Sequence, residues 1–261
     1  NGVDPKNTLF INRELVDFDF LVSYNDLDEL IKLYKSELRP TGKIYIFIDE
    51  IQLIKEWEKT INSYSQDYTA EYELFISGSN SKMLSGELAT LLSGRYVCFD
   101  VFPFSYKEYI EIAHQERGKQ SYIDYMNTGG LPELFSLPEK QEIRQNYMSS
   151  IKDTILLKDI IQRYNIRDPK LLEDIFIFLV NNASNLISIS SIIKYFKGQG
   201  RKPSYDAVAA YIGYTEDAFL IHRCDRYDIK GKDVLSGMAK FYMNDLAYKN
   251  FLYSGFAYGM G

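Results

Sequence analysis

The chain has 261 residues, 46% of them hydrophobic and 25% charged, which is enough to bury one large core or two of ordinary size. A formal net charge of −6 argues against a protein that coats itself in nucleic acid through bulk electrostatics, but it leaves room for a local basic face. The longest apolar runs are far shorter than the roughly 20 residues that span a bilayer. Cys98 and Cys224 stand far apart in predicted strands, as buried structural thiols would. We therefore predict a cytoplasmic protein without a membrane partner.

The first hundred residues alternate short apolar runs with amphipathic helices, which is the pattern of a parallel α/β sheet. The predicted strands cover 7–12, 43–49, 72–78 and 96–101. The predicted helices cover about 25–38, 54–64 and 81–92, and we expect Asn25 to cap the first of them.

The pattern changes to helices alone after Pro103 and then ends in a hairpin. The predicted helices cover 105–117, 121–127, 139–164, 170–181, 190–196 and 204–215. Predicted strands at 219–227 and 238–243 flank a tight turn. Three helices followed by a hairpin indicate a winged helix-turn-helix. The predicted domains are an α/β core at 1–103, a helical lid with linker helices at 104–167, and a winged helix at 168–261.

The run Ile44-Tyr-Ile-Phe-Ile-Asp49-Glu50 has the form of a Walker B element. A buried strand there delivers two consecutive carboxylates at its C-terminal end, where open α/β sheets bind ligands. Asp49 could hold Mg²⁺, and Glu50 could polarise the attacking water. The alternative is that the two acids only stabilise the N-terminus of the next helix.

Two further segments fall at the same predicted edge of the sheet. Ser79 and Asn80 follow the third strand, where a hydroxyl or amide could reach a γ-phosphate, although such residues also cap ordinary helices. Arg95 precedes the fourth strand, and an arginine that reaches a γ-phosphate accelerates its transfer about 10³- to 10⁵-fold. The alternative for Arg95 is a solvent-facing side chain at a helix C-terminus.

These motifs follow one another in a specific order. The runs are IFIDEIQ, ISGSNSKMLSGELATLLSGRY, FPFSYKEY, GGLPE, RYDIKGK and KFYMNDLAYKNFL. In that order they resemble the bacterial and archaeal AAA-type, STAND-like P-loop ATPases that carry a C-terminal domain of unknown function. The resemblance covers nearly the whole chain. It implies ATP and Mg²⁺ as cofactors and a parallel P-loop NTPase sheet followed by a helical lid.

The resemblance also implies roles for individual residues. Asp49 and Glu50 match the Walker B acids, and Ser79 or Asn80 matches the sensor-like polar residue. Arg95 matches a candidate arginine finger, which could act within one subunit or across a self-association interface. Gly130, Leu131 and Pro132 match the turn by which the lid touches the nucleotide, although Gly-Gly-x-Pro is also an ordinary turn sequence.

The chain departs from the family pattern in one respect, because it contains no G-x-x-x-x-G-K-[ST] run. In the family this loop follows a first strand that lies beside the strand ending at Ser77. That strand would precede Asn1, and its loss would leave strand edges unpaired in the core. We therefore expect the 261 residues to be part of a longer protein.

The predicted winged helix raises the possibility of DNA as a partner. Basic turns with Arg201 and Lys202, and with Lys230 and Lys232, could hold phosphates. The predicted recognition helix, 204–215, is dominated by tyrosines and has few side chains that read base edges. A winged helix that only packs or binds protein is equally consistent with this pattern.

Two functions compete at this point. The first is a nucleotide-driven switch, in which hydrolysis at Glu50 moves the lid and thereby the winged helix. The second is a non-hydrolysing winged-helix regulator that binds DNA or protein and keeps the α/β part as a degenerate scaffold.

Overall fold

The computed structural model describes residues 2–79, 92, 96–228 and 233–252, with the backbone alone described at 157–159, 228 and 233–236. The chain divides into two compact units, Asn1–Phe99 and Asp100–Gly261. The predicted helix at 81–92 and the predicted turn around Lys230 and Lys232 lie outside the described residues, apart from Leu92.

The first unit contains a parallel sheet of three described strands in the order β1-β2-β3. The strands are β1, Thr8–Asn12, β2, Ile44–Asp49, and β3, Tyr72–Ile76. The register pairs Ile46 of β2 with Leu9 on one side and with Leu74 on the other. The parallel sheet and three of its predicted strands are therefore confirmed, each shortened by one or two residues.

Two helices, α1 at Tyr24–Leu38 and α2 at Trp57–Ser65, cover one face of this sheet. Ile44, Ile46 and Ile48 point toward them and are buried, since alternate residues of a strand face opposite sides. The prediction that Asn25 caps α1 is wrong. Ser23 is the cap, and Asp26 accepts hydrogen bonds from its backbone nitrogen and hydroxyl, so Asn25 falls inside the first turn.

The opposite face of the sheet carries a row of phenylalanines. Phe10, Phe47 and Phe75 stand in register across the three strands, and the rings of Phe47 and Phe75 stack with centroids 4.6 Å apart. The outer two are 58% and 42% exposed, respectively. Two residues further along each strand come Asn12, Asp49 and Ser77, so these polar side chains follow the same face to the carboxyl edge.

The predicted fourth strand at 96–101 is wrong. The described backbone there forms no strand, and the side chains of Val97, Phe99 and Val101 are strongly exposed. A strand exists only through hydrogen bonds to a neighbour, and β3 has no second described strand beside it. An apolar alternation can therefore predict the conformation, but it cannot supply the pairing partner.

The second unit begins with helices. These are α3, Tyr106–Ile112, α4, Lys119–Thr128, and α5, Gln141–Thr154, which continues as a π-helix over Ile155–Gln162. Next come α6, Pro169–Asn181, the short strand β4, Leu186–Ile187, α7, Ile189–Gly198, and α8, Tyr205–Asp217. The predicted single helix over 139–164 is thus two stretches of different hydrogen bonding.

The hairpin of β5, Ile221–Asp228, and β6, Asp233–Met243, completes an antiparallel sheet with β4 in the order β4-β6-β5. The last helix among the described residues, α9, covers Ala247–Leu252. The helices and hairpin of 168–261 therefore occur in the predicted order, with β4 and α9 added. Their core includes the fully buried Phe176, Ile192 and Val208.

The two cysteines differ from the prediction, because both thiols are exposed. Cys224 lies in β5 as predicted, whereas Cys98 lies in the segment that forms no strand. Across the described part of the chain, no helix has both the length and the apolar character needed to cross a membrane.

Candidate functional site

Asp49 ends β2 at the carboxyl edge of the sheet and is half-buried there. Its carbonyl oxygen accepts a hydrogen bond from the backbone nitrogen of Arg13, 3.2 Å away, and its Oδ1 accepts one from the Ser77 hydroxyl. Ser77 is itself fixed, because its backbone nitrogen donates to the Ile48 carbonyl over 2.9 Å. The acid therefore projects from a rigid strand end and shares that end with a hydroxyl.

Glu50 leaves the strand in a left-handed conformation, with φ 53° and ψ 45°. This conformation is costly for a non-glycine residue and occurs mainly where the surroundings enforce it. Here a 3₁₀ turn over Ile51–Leu53 follows at once, and its first backbone nitrogen donates to the Ser77 carbonyl over 3.2 Å. The sharp turn places the Glu50 side chain beside the end of β3.

The Gln52 amide joins Glu50 to Ser79. Its Nε2 donates to Glu50 Oε2 and to the Ser79 hydroxyl, the latter over 3.3 Å. Three of the predicted site residues, Asp49, Glu50 and Ser79, thus lie at one edge of the sheet and are connected by Gln52 and Ser77. The predicted Asn80 and Arg95 lie outside the described residues.

Pro132 belongs to the second unit, where it opens a 3₁₀ turn over Pro132–Phe135 and is exposed. The glycine before Leu131 is held from two sides. Gly130 donates its backbone N–H to Asp245 Oδ2 over 2.7 Å, and its carbonyl accepts from the Phe104 nitrogen over 2.7 Å. The Gly-Gly-x-Pro segment is therefore a fixed turn within this unit.

Asp245 accounts for the turn's rigidity. Its Oδ1 accepts a second backbone hydrogen bond, from Ala247 over 2.7 Å, so one buried carboxylate joins the glycine turn to the start of α9. Burial raises the pKa of Asp245 above its ordinary value, and the two backbone N–H groups only partly offset this effect.

The residues predicted to contact DNA phosphates differ in their surroundings. Arg201 is ion-paired, because its guanidinium contacts Asp174 and, over 3.4 Å, Asp168. Lys202 is exposed in the loop between α7 and α8. Lys230 and Lys232 lie outside the described residues.

Sequence reasoning missed two contributors to these sites, Gln52 and Asp245, to which it assigns no role. Ser77 is among the polar residues that the sequence places at this edge of the sheet, but its contact with Asp49 was not predicted. A signal existed only for Gln52, which follows Glu50 by two residues and so returns beside it when the chain turns tightly. The partners of Ser77 and Asp245 depend on tertiary contacts that local spacing does not reveal.

Comparison with known families gives two matches that together span most of the chain. Residues 2–110 match a family described as an AAA domain, and residues 119–255 match a domain of unknown function (DUF8612). The second match alone covers more than half of the chain. The chain belongs to the AAA-type ATPases that carry a C-terminal domain of unknown function. The family predicted from the motifs is thereby confirmed.

Two curated proteins are similar to this AAA-type chain over most of its length. An uncharacterized protein of Haemophilus influenzae is 32% identical over 250 residues, which are 94% of this chain and 60% of that protein. An uncharacterized protein of Methanocaldococcus jannaschii is 28% identical over 253 residues, which are 90% of this chain and 56% of that protein. The chain therefore spans somewhat more than half the length of these relatives.

The comparison with solved structures concerns the fold. A Walker-type ATPase of Pyrococcus abyssi superposes with a TM-score of 0.57 at 13% identity, over 94% of this chain and 83% of that one. At such low identity the likeness concerns the fold alone. The α/β fold with its parallel sheet thus resembles that of P-loop ATPases.

Proposed function

We propose that this AAA-type protein binds ATP with Mg²⁺ at the carboxyl edge of the β1–β3 sheet and hydrolyses the nucleotide. The observation that carries the proposal is the convergence of Asp49, Glu50 and Ser79 at that edge. Ligands of open α/β sheets bind outside the carboxyl ends of the strands. Membership of an ATPase family supports the same conclusion.

The residues present suit magnesium. Asp49 offers a carboxylate and Ser77 a hydroxyl, which are the hard oxygen ligands that Mg²⁺ prefers. Among the described residues, no group of three or more His, Cys, Asp or Glu side chains could hold a metal ion. The Asp49 carboxylate and the Ser77 hydroxyl fit a cation that proteins bind through one or two carboxylates, with phosphates and water as the other ligands. When bound, Mg²⁺ would neutralise charge on the phosphates.

Each remaining residue has one proposed task. Glu50 orients the attacking water and accepts its proton, and Ser79 or Asn80 contacts the γ-phosphate or that water. Arg95, from the same subunit or from an associated one, stabilises the charge that develops in transfer. Pro132 contacts the nucleotide from the helical lid at 104–167. Hydrolysis then moves the lid and the module that follows it.

The first experiment removes the proposed base. In the full-length protein, Glu50→Gln should keep nucleotide binding and lower turnover by about 10² to 10⁴, the usual contribution of general base catalysis. Turnover is measured by phosphate release and binding by titration with a fluorescent ATP analogue. Glu37→Gln, at an exposed position of α1, is the matched control and should leave both unchanged. Unchanged turnover in Glu50→Gln would exclude Glu50 from the reaction.

A second candidate function is nucleic-acid contact by 168–261, proposed here as a winged helix-turn-helix. The sequence favours it through one feature. From Ile175 to Tyr205 there is no acidic residue, although Lys194, Lys197, Arg201 and Lys202 all lie there and the whole chain has an acidic excess. The three lysines are exposed on α7 and the following loop.

The surroundings of α8 indicate what kind of contact this surface makes. Only Tyr205 and Asp206 of α8 are exposed, so the predicted recognition helix offers few groups for a base edge. Lysines contact phosphates without specifying sequence. We therefore expect the α7–α8 lysines, together with Lys230 and Lys232, to bind the backbone of DNA, while Arg201 stays paired with Asp174.

The test is a matched pair of double variants. Lys194→Glu with Lys197→Glu should weaken binding to all duplexes alike, and the slope of log affinity against log salt should become shallower by about 2. Lys107→Glu with Lys119→Glu makes the same charge change at exposed sites on α3 and α4 and should have little effect. Equal losses in both variants, or affinity that does not depend on salt, would exclude a phosphate-binding surface.

The non-hydrolysing regulator remains the alternative to the switch. It requires that the full-length protein have no affinity for ATP while the C-terminal module still binds DNA or protein. The fluorescent-nucleotide titration separates these functions, because only the switch binds nucleotide and releases phosphate.

A further inference from the structure

The Gln52 side chain contacts two residues of the candidate site, Glu50 and Ser79. Its Nε2 donates to Glu50 Oε2 and, over 3.3 Å, to Ser79 Oγ. These partners come from different places in the chain, since Glu50 follows β2 and Ser79 follows β3. The amide therefore joins the carboxylate that follows one strand to the hydroxyl that follows the next.

The backbone fixes where the amide can be. Glu50 turns the chain through its left-handed conformation, and the 3₁₀ turn after it is closed by a hydrogen bond from the Leu53 nitrogen to the Glu50 carbonyl, 3.0 Å long. Ile51, within this turn, is buried to 1% exposure and anchors it in the core. The Gln52 side chain is consequently directed back toward Glu50.

Gly78 leaves the space that the amide occupies. A Cβ atom built on Gly78 would lie 2.7 Å from Gln52 Oε1, closer than real Cβ contacts allow. The end of β3 thus approaches the amide so closely that a larger residue would displace it. The observed position of the Gln52 amide therefore requires a residue without a side chain at position 78.

The orientation of the amide follows from its partners. Reversing it would place Oε1 against the Glu50 carboxylate, where two acceptors would repel each other. In the observed orientation Oε1 is buried, and no described residue donates a hydrogen bond to it. An unsatisfied buried acceptor costs stability. The structure retains this arrangement because the N–H groups are directed at Glu50 and Ser79.

We propose that Gln52 is a positioning residue that holds the Glu50 carboxylate in its reactive orientation and links it to Ser79. The proposal rests on the proposed hydrolysis at Glu50. Gln52 itself contacts neither nucleotide nor water in this reaction. A change at Ser79 alters the orientation of Glu50 through the shared amide.

The test uses Gln52→Leu in the full-length protein. We expect kcat to fall roughly tenfold to a hundredfold, because a misplaced base loses alignment with its water. The dissociation constant of a fluorescent ATP analogue and the melting temperature should stay unchanged. KM for ATP should stay unchanged while kcat falls, because the amide orients the base and does not contact the nucleotide.

Three companions sharpen the result. Gln66→Leu, at an exposed position after α2, is the matched control and should behave as the unaltered protein. Gly78→Ala keeps the glutamine at position 52 but its methyl group displaces the Gln52 amide, so kcat should fall as it does in Gln52→Leu. Gln52→Leu added to Glu50→Gln should have no further effect on turnover, because the amide acts only through the carboxylate.

The outcomes separate this proposal from the function on which it rests. If Glu50→Gln stops hydrolysis but Gln52→Leu keeps kcat, the positioning role is excluded and the function stands. If Gln52→Leu lowers nucleotide affinity and melting temperature together with kcat, its role is structural and the proposal fails. If Glu50→Gln hydrolyses ATP normally, both proposals fail.

Discussion

The Asp245 carboxylate is buried and accepts two backbone hydrogen bonds, from Gly130 and Ala247, each 2.7 Å long. Burial raises the pKa of Asp245 because the charged form loses contact with water, and the two N–H groups compensate only in part. The folded state therefore binds the Asp245 proton more tightly than the unfolded chain does. This single residue is expected to affect both the stability of the second unit and its response to pH.

Asp245→Ala should lower the free energy of unfolding by about 1–3 kcal/mol, since it leaves two backbone donors buried without an acceptor. The measurement is urea unfolding followed by far-UV circular dichroism. Asp206→Ala removes an exposed carboxylate from the first turn of α8 and should cost only a few tenths of a kcal/mol.

The raised pKa of Asp245 also predicts how the destabilisation caused by Asp245→Ala changes with pH. A folded pKa above the unfolded value means that the contribution of Asp245 is complete below the ordinary aspartate range and is lost as pH rises through the folded pKa. The destabilisation caused by Asp245→Ala should therefore be larger at acid pH than at neutral pH. A destabilisation that grows with rising pH would contradict the raised pKa.

Single residues also mark the limit of prediction from sequence. The two acids at the end of β2 could be found because a buried strand and its end are local patterns. The role of Gln52 could not, because it depends on the left-handed turn at Glu50 and on the distance to Ser79. The guanidinium of Arg201 suits a phosphate, but in the structure it pairs with Asp174, which is distant in sequence and close in space.

At the scale of elements, the turn between α4 and the Pro132–Phe135 segment depends on two glycines. Gly129 has φ 85°, and a Cβ on Gly130 would overlap the Phe104 carbonyl and lie 2.9 Å from the Phe104 nitrogen. Both obstacles at Gly130 are backbone atoms, which no side-chain rotation can move. The sequence Gly-Gly-x-Pro predicted a turn, but only the packing explains why the second glycine is needed.

Gly130→Ala should destabilise the protein by roughly 1–3 kcal/mol or more, because the added methyl group forces the backbone of Phe104 away. Gly213→Ala is the contrasting variant. It lies within α8, and no atom other than those of its chain neighbours and its own helix backbone lies within 4 Å of the added Cβ. Alanine should therefore stabilise the helix by about 0.5–1 kcal/mol. Chemical denaturation measures the change in the free energy of unfolding, which should be a decrease for Gly130→Ala and an increase for Gly213→Ala. A decrease for both variants would contradict this packing.

Elements were predicted well where their signals are local and less well where they depend on a partner. The apolar periodicities of α1 and of α6 gave their extents within one or two residues. The strand expected at 96–101 failed because its pairing partner could not be inferred from its own alternation. The short β4 was missed because two residues carry no pattern, and it exists only through its pairing with β6.

At the scale of the whole molecule, the two units carry different spectroscopic signals. The sequence has one tryptophan, Trp57, and it is buried in the first unit. Helices occur in both units, so far-UV circular dichroism follows both. Tryptophan fluorescence and dichroism therefore report on different sets of residues during unfolding.

Gly130→Ala lies in the second unit and should shift the dichroism midpoint in urea more than the Trp57 fluorescence midpoint. Ile46→Ala, in the core of the first unit, should lower the fluorescence midpoint, with a loss of about 2–5 kcal/mol from the cavity it creates. Coincident shifts of both midpoints in both variants would instead indicate one cooperative transition.

The two exposed thiols offer a way to test the proposed switch. Cys98 falls in the first unit and Cys224 in the second, and the 261 residues contain no other cysteine. A donor and an acceptor dye attached to this pair would report energy transfer between the units, once any cysteine outside the 261 residues has been replaced. If ATP turnover moves the C-terminal module, transfer efficiency should change on adding nucleotide to the full-length protein and should return when hydrolysis is complete.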